Sequence, residues 1–99
     1  ETVFSSDNNS SNLAFSPNPF IVNGSNTLTI GNIPSGSTLQ IMNLSGKVVK
    51  SFKLVNENTI FNWDGRDDSG NYLNTGIYLV SSYHPNKKSL VSKLAIVRE

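Results

Sequence analysis

The chain contains no cysteine. That excludes a disulfide framework and a thiolate metal site, while leaving the compartment open. Long apolar runs are missing too. None approaches the ~20 residues that a membrane-spanning helix needs, and no leader-like segment stands at Glu1. Charge is sparse: charged residues are 15% of the 99, and the formal net charge is only +1. The lysines are scattered, which argues against a nucleic-acid footprint. Lys87-Lys88 is the one adjacent basic pair, and beside Pro85-Asn86 it reads as a solvated hairpin tip. The motifs of enzymes are missing as well. There is no G-x-S-x-G elbow, no H-E-x-x-H and no phosphate loop. The single histidine, His84, lies between Tyr83 and Pro85 with no orienting partner or nucleophile nearby in sequence. A catalytic imidazole needs both within hydrogen-bond reach. No segment shows a helical stripe longer than two turns, and there is no internal repeat.

What remains is short alternating segments separated by turn residues. Residues 1–12 are rich in Asn, Ser and Asp and read as a linker, because these side chains solvate well and compete for backbone hydrogen bonds. The domain is expected over residues 13–99. Leu13-Ala14-Phe15 opens an edge strand. Pro17-Asn18-Pro19-Phe20 follows, and two prolines around one residue fix φ and remove two amide donors. That segment is expected to be an extended crossing or edge, with Phe20 folding back as a plug. Leu28 and Ile30 share a face, as do Leu39 and Ile41. Val48, Phe52 and Leu54 are expected to point inward, with a bulge or edge position at Lys50. Asn56-Glu57-Asn58 reads as a turn. Thr59, Phe61 and Trp63 share a face, and Ile77 to Val80 is apolar on both faces, as in a central strand. Leu90, Leu94 and Ile96 line one face of the last strand; Val91, Ala95 and Val97 line the other. The pattern predicts an all-β fold: a single antiparallel immunoglobulin-like β-sandwich of about seven strands. A chain of this size buries enough surface to fold alone, with a modest margin.

Candidate chemistry concentrates in Trp63-Asp64-Gly65-Arg66-Asp67-Asp68-Ser69-Gly70. Clustered carboxylates attract calcium, yet the spacing is not that of an EF-hand loop, because Arg66 falls at the third position. Asp64 before Gly65 suits an Asx turn, and Asp67 or Asp68 suits a second turn or a pair with Arg66. Trp63, Asp64, Gly65, Asp67 and Gly70 are therefore read as a structural turn. Tyr72 and Tyr83 raise the possibility of stacking on sugars, while Trp63, sharing a face with Phe61, reads as core. Asn8, Asn9, Asn23 and Asn43 stand in N-x-Ser sequons, which an Asn/Ser-rich chain produces by chance. No residue is assigned to catalysis, to a cofactor or to a metal, and no enzyme activity is expected.

Several segments, taken in order, resemble the C-terminal sorting domain of the type IX secretion system of Bacteroidetes. They are Pro17-Asn18-Pro19-Phe20, Leu39-Gln40-Ile41 leading to Leu44-Ser45-Gly46, Gly76-Ile77-Tyr78, and Lys93-Leu94-Ala95-Ile96-Val97. The resemblance covers about residues 13 to 99. The run Trp63-Asp64-Gly65-Arg66-Asp67 with Gly70 also resembles the immunoglobulin-like domain of flagellar hook-capping proteins, and it is richer than many sorting domains show. The first resemblance implies a sorting signal. The segment would be a piece of a longer exported protein, carrying an upstream cargo domain to the outer-membrane surface or beyond. Its implied partners are the type IX translocon and a surface sortase, with cleavage within residues 1–12. Pro17, Asn18, Pro19, Gly46, Gly76, Tyr78, Lys93, Leu94, Ile96 and Val97 are the implied sorting-motif residues. The alternatives are an accessory carbohydrate-binding or adhesion module, resting on Tyr72 and Tyr83, and a passive spacer domain.

Overall fold

The computed structural model describes residues 13–53 and 59–99. Eight strands make up the fold: β1 (Ala14–Ser16), β2 (Phe20–Val22), β3 (Leu28–Gly31), β4 (Thr38–Met42), β5 (Val48–Lys53), β6 (Phe61–Trp63), β7 (Gly76–His84) and β8 (Lys87–Arg98). They form two sheets, one of three strands in the order β1-β3-β6 and one of five in the order β2-β8-β7-β4-β5. The β-sandwich expected from the alternation is therefore present. It differs in one pairing: β2 lies parallel to β8, with Phe20 opposite Ile96, Ile21 opposite Val97 and Val22 opposite Arg98. All other pairings are antiparallel. A short strand following two prolines has few amides to offer a ladder, so it fits the sheet's margin and not its interior.

The core lies between the sheets. Leu28, Ile30 and Trp63 come from the smaller sheet. Phe20, Val22, Leu39, Ile41, Val80, Leu94 and Ile96 come from the larger. The alternation of β3, β4 and β8 predicts these inward residues correctly. Aromatic rings tie the layers together. Phe52 of β5 lies 4.0 Å from Phe61 and 6.4 Å from Trp63, and Phe20 lies 6.0 Å from Trp63, centroid to centroid. Trp63 is buried, and its indole N–H donates to the Arg66 carbonyl at 2.9 Å, so burial leaves no orphan donor.

Three expectations need correction. Val48 points outward and is 41% exposed. Opposite Ile41 and Met42 the register shifts, so Lys50 pairs with Ile41 and Val48 with Met42, leaving Val49 as the extra residue of a bulge. An inserted residue reverses the alternation beyond it. Lys50 thus occupies the inward phase on an edge strand, where its ammonium sits over the Phe52 ring and pairs with Asp68 at 3.3 Å. Thr59 lies before β6 and is exposed, so only Phe61 and Trp63 of the expected trio face inward. The β7–β8 turn is Pro85-Asn86, and Lys87-Lys88 already belongs to β8. Leu54 and the turn at Asn56-Glu57-Asn58 fall outside the described residues.

Gly65 is required at the corner after β6. Its φ is +94°, and a Cβ there would stand 2.8 Å from Val22 Cγ2 and 3.3 Å from Phe20 Cε2. Gly70 has a similar φ of +90° with nothing within 4 Å. Gly65→Ala is expected to cost about 2–4 kcal/mol, combining a left-handed backbone with overpacking. Gly70→Ala should cost only about 1–2 kcal/mol. Trp63→Ala should cost about 3–5 kcal/mol. Urea denaturation of the three variants checks the ranking, and equal losses for the two glycines would contradict the packing argument.

Candidate functional site

The acidic run forms a corner in which each aspartate has a separate task. Asp64 Oδ1 accepts from the Arg66 amide at 3.1 Å, and Asp64 Oδ2 lies 3.6 Å from Arg66 Nε. Asp67 Oδ1 accepts from the Ser69 and Asn71 amides at 2.9 and 3.0 Å. Asp68 receives Lys50, and its own amide donates to the Val49 carbonyl at 3.0 Å. The bulge and the corner therefore meet. Among the described residues no three His, Asp or Glu side chains come together. Arg66 donates to the Tyr72 hydroxyl at 3.0 Å and stacks on the Tyr72 ring at 4.8 Å. The hydrogen bond to Tyr72 raises the Arg66 pKa, with Asp64 adding to it, so the guanidinium stays charged. One face of the Tyr72 ring is thereby covered. Tyr83 is 60% exposed on the opposite part of the molecule's larger sheet. Asn23 and Asn43 each accept two nearby backbone amides, Ser25 and Asn26 in one turn, Ser45 and Lys47 in the other. These side chains shape turns.

The segments that carry the resemblance to sorting domains lie far apart in sequence and meet in space. β8 is the hub. Phe20 pairs with Ile96 on one side of it, and Gly76 pairs with the same Ile96 on the other. Tyr78 pairs with Leu94, and Leu79 with Lys93. Ahead of β2, Asn18 Oδ1 accepts from the Ala95 amide at 3.2 Å. Pro17 and Pro19 have no N–H, so the Asn18 side chain continues the contact with β8 where the backbone does not. The Asn43–Lys47 hairpin, which holds Gly46 at φ +90°, projects from the same end of the sheet, because Met42 pairs with Leu79. Leu94 and Ile96 are buried, whereas Lys93 and Val97 face outward.

Tyr78 carries a role that strand alternation alone does not reveal. Its hydroxyl donates to the Asn74 carbonyl at 2.8 Å, closing the loop that leads into β7. This is the tyrosine-corner device of Greek-key sandwiches, a ring in the core with its hydroxyl returned to the backbone upstream. Arg98 secures the same loop from β8: it donates to the Asn74 side chain at 2.9 Å, and its amide donates to Thr75 Oγ1 at 2.9 Å. The sequence spacing Asn74 to Tyr78 was the available signal.

Two packed sheets with a tyrosine corner and an inter-sheet tryptophan define an immunoglobulin-like domain. The family model of the FlgD Ig-like domain matches residues 20–87, and the chain belongs to that family. Among solved structures, the chain is similar to PorZ of Porphyromonas gingivalis, described as an essential bacterial surface component of the type-IX secretion system. The match has 28% identity and a TM-score of 0.73, and it covers 87% of this chain but only 11% of the PorZ chain. Among curated proteins, none matches.

Burial raises the Tyr78 pKa above its ordinary 10.0. The protonated form is favoured in the folded state, so this contribution to stability is complete below pH 10 and is lost as pH rises through the folded pKa. Tyr78→Phe should cost about 0.5–1.5 kcal/mol at neutral pH, through the lost hydrogen bond. It should also remove one source of alkaline destabilisation, so the Tm difference from the unaltered chain should narrow above pH 10. A difference constant with pH would contradict a buried, hydrogen-bonded phenol.

Proposed function

We propose that this domain is a non-catalytic sorting module of the type IX secretion system, carrying an upstream cargo domain of the same polypeptide to the bacterial surface. One observation carries the reading. Segments 17–20, 76–78 and 93–97 assemble side by side around the C-terminal half of β8, and hairpin 44–46 projects from the same end. A composite surface built from distant segments exists only once the domain has folded, which suits a signal read in the folded state. The likeness to a domain of PorZ supports the same secretion system. The partners on this reading are the translocon and a surface sortase, and the cleavage zone falls within residues 1–12, outside the described residues. The protein's destination is the outer-membrane surface or the extracellular space.

β8 is a central strand, with Leu94 and Ile96 fully buried, so deleting residues 93–99 would test folding and not sorting. The informative experiment leaves the core intact. The full chain is fused behind a periplasmic reporter and expressed in a type IX-competent bacterium and in its translocon-deficient derivative. The reporter should reach the surface in the first and remain periplasmic in the second. Retention in both strains would refute the sorting reading.

A further inference from the structure

The outward face of the larger sheet is divided. At the end that holds the motif segments it is apolar. Ile21 stands beside Val97, Ala95 beside Ile77, and Leu79 beside Met42, which in turn stands beside Val48. Leu44 extends the patch from the adjoining hairpin. At the other end Ser81, Gln40, Ser51, Thr38 and Lys53 make most of the face polar, with Val91 and Tyr83 exposed among them. Of the eight large apolar side chains exposed among the described residues, five (Ile21, Leu44, Val48, Ile77 and Val97) lie in this one patch. Isolated exposed apolar residues are ordinary, but a contiguous patch marks an interaction surface.

The charges at its border indicate the occupant. Lys93 adjoins Leu79 in the same row, and Lys47 adjoins Val48 at the hairpin. Within the five strands no carboxylate faces outward, and Glu99, which follows Val97 in the same phase, is the one acid at the border. We propose that this half-face docks a protein partner whose own contact surface is apolar and edged with carboxylates. The proposal rests on the sorting reading above and supplies the surface that reading needs. A second copy is disfavoured, since facing two such patches would bring four lysines together with only two Glu99 carboxylates to pair them. A lipid surface is disfavoured as well. Stable attraction to anionic headgroups takes clusters of about four to eight basic residues, and the patch holds neither that many nor an aromatic anchor.

The test uses the same reporter fusion. Ile77→Asp and Val97→Asp should each lower surface arrival by about tenfold or more, through a charge placed in an apolar contact. Ile77→Thr keeps the β-branched backbone preference and should give a smaller loss in the same direction. Lys93→Glu should reduce arrival, and Lys93→Arg should restore it. Val91→Asp is the control: it is exposed on the same strand, opposite Ser81, beyond the patch. Thermal melting of each purified chain identifies variants that fail to fold, and the Thr variant then decides. If the unaltered chain is exported and the patch variants are exported equally well, the docking face is wrong. Failure of the unaltered chain to be exported removes the sorting reading and this face with it. Binding to anionic phospholipid vesicles, or a dimer in sedimentation, that is abolished by Ile77→Asp would reassign the patch and overturn the proposal.

Discussion

The parallel pairing of β2 with β8 is the constraint on which the rest depends. It joins a segment near one end of the described chain to a strand near the other. It seats Phe20 and Val22 in the core, where they meet Trp63 and close over Gly65. It also sets Asn18 against Ala95 and Ile21 against Val97. Without it the core would lose two of its most buried side chains, and the motif segments would not share a surface.

The acidic corner shows how a site-like sequence is consumed by structure. Three aspartates within five residues suggest a cation, but each is engaged locally, with backbone amides, with Arg66 or with Lys50. The corner in turn braces β5, where the bulge at Val49 frees a carbonyl for the Asp68 amide. The corner holds the sandwich shut, while the other features gather around β8.

Much of this was legible in the residues. Period-two alternation identified Leu28, Ile30, Leu39, Ile41, Leu94 and Ile96 as inward, because one buried face permits only one phase. Trp63 as core and Asp64 as a turn former followed from residue chemistry. Three things were not legible. Alternation states which face a residue occupies but not which strand lies beside it, so the parallel β2–β8 pairing stayed hidden. Lys50 signals the bulge and the edge position of β5, but not on which side of it the extra residue lies, so Val48 was read on the wrong face. The apolar patch was invisible for a related reason: the two-sided apolar character of Ile77 to Val80 reads as burial on both faces, whereas no described residue covers the outer one.

The central claim, that β2 lies parallel on β8 and unites the motif segments, has a direct test because the chain has no cysteine of its own. Ile21→Cys and Val97→Cys are introduced together and the purified protein is oxidised. The account predicts an intramolecular disulfide, formed in the folded state with the melting temperature held or raised. Failure to form the bond in folded protein, or formation only between separate chains, would contradict it.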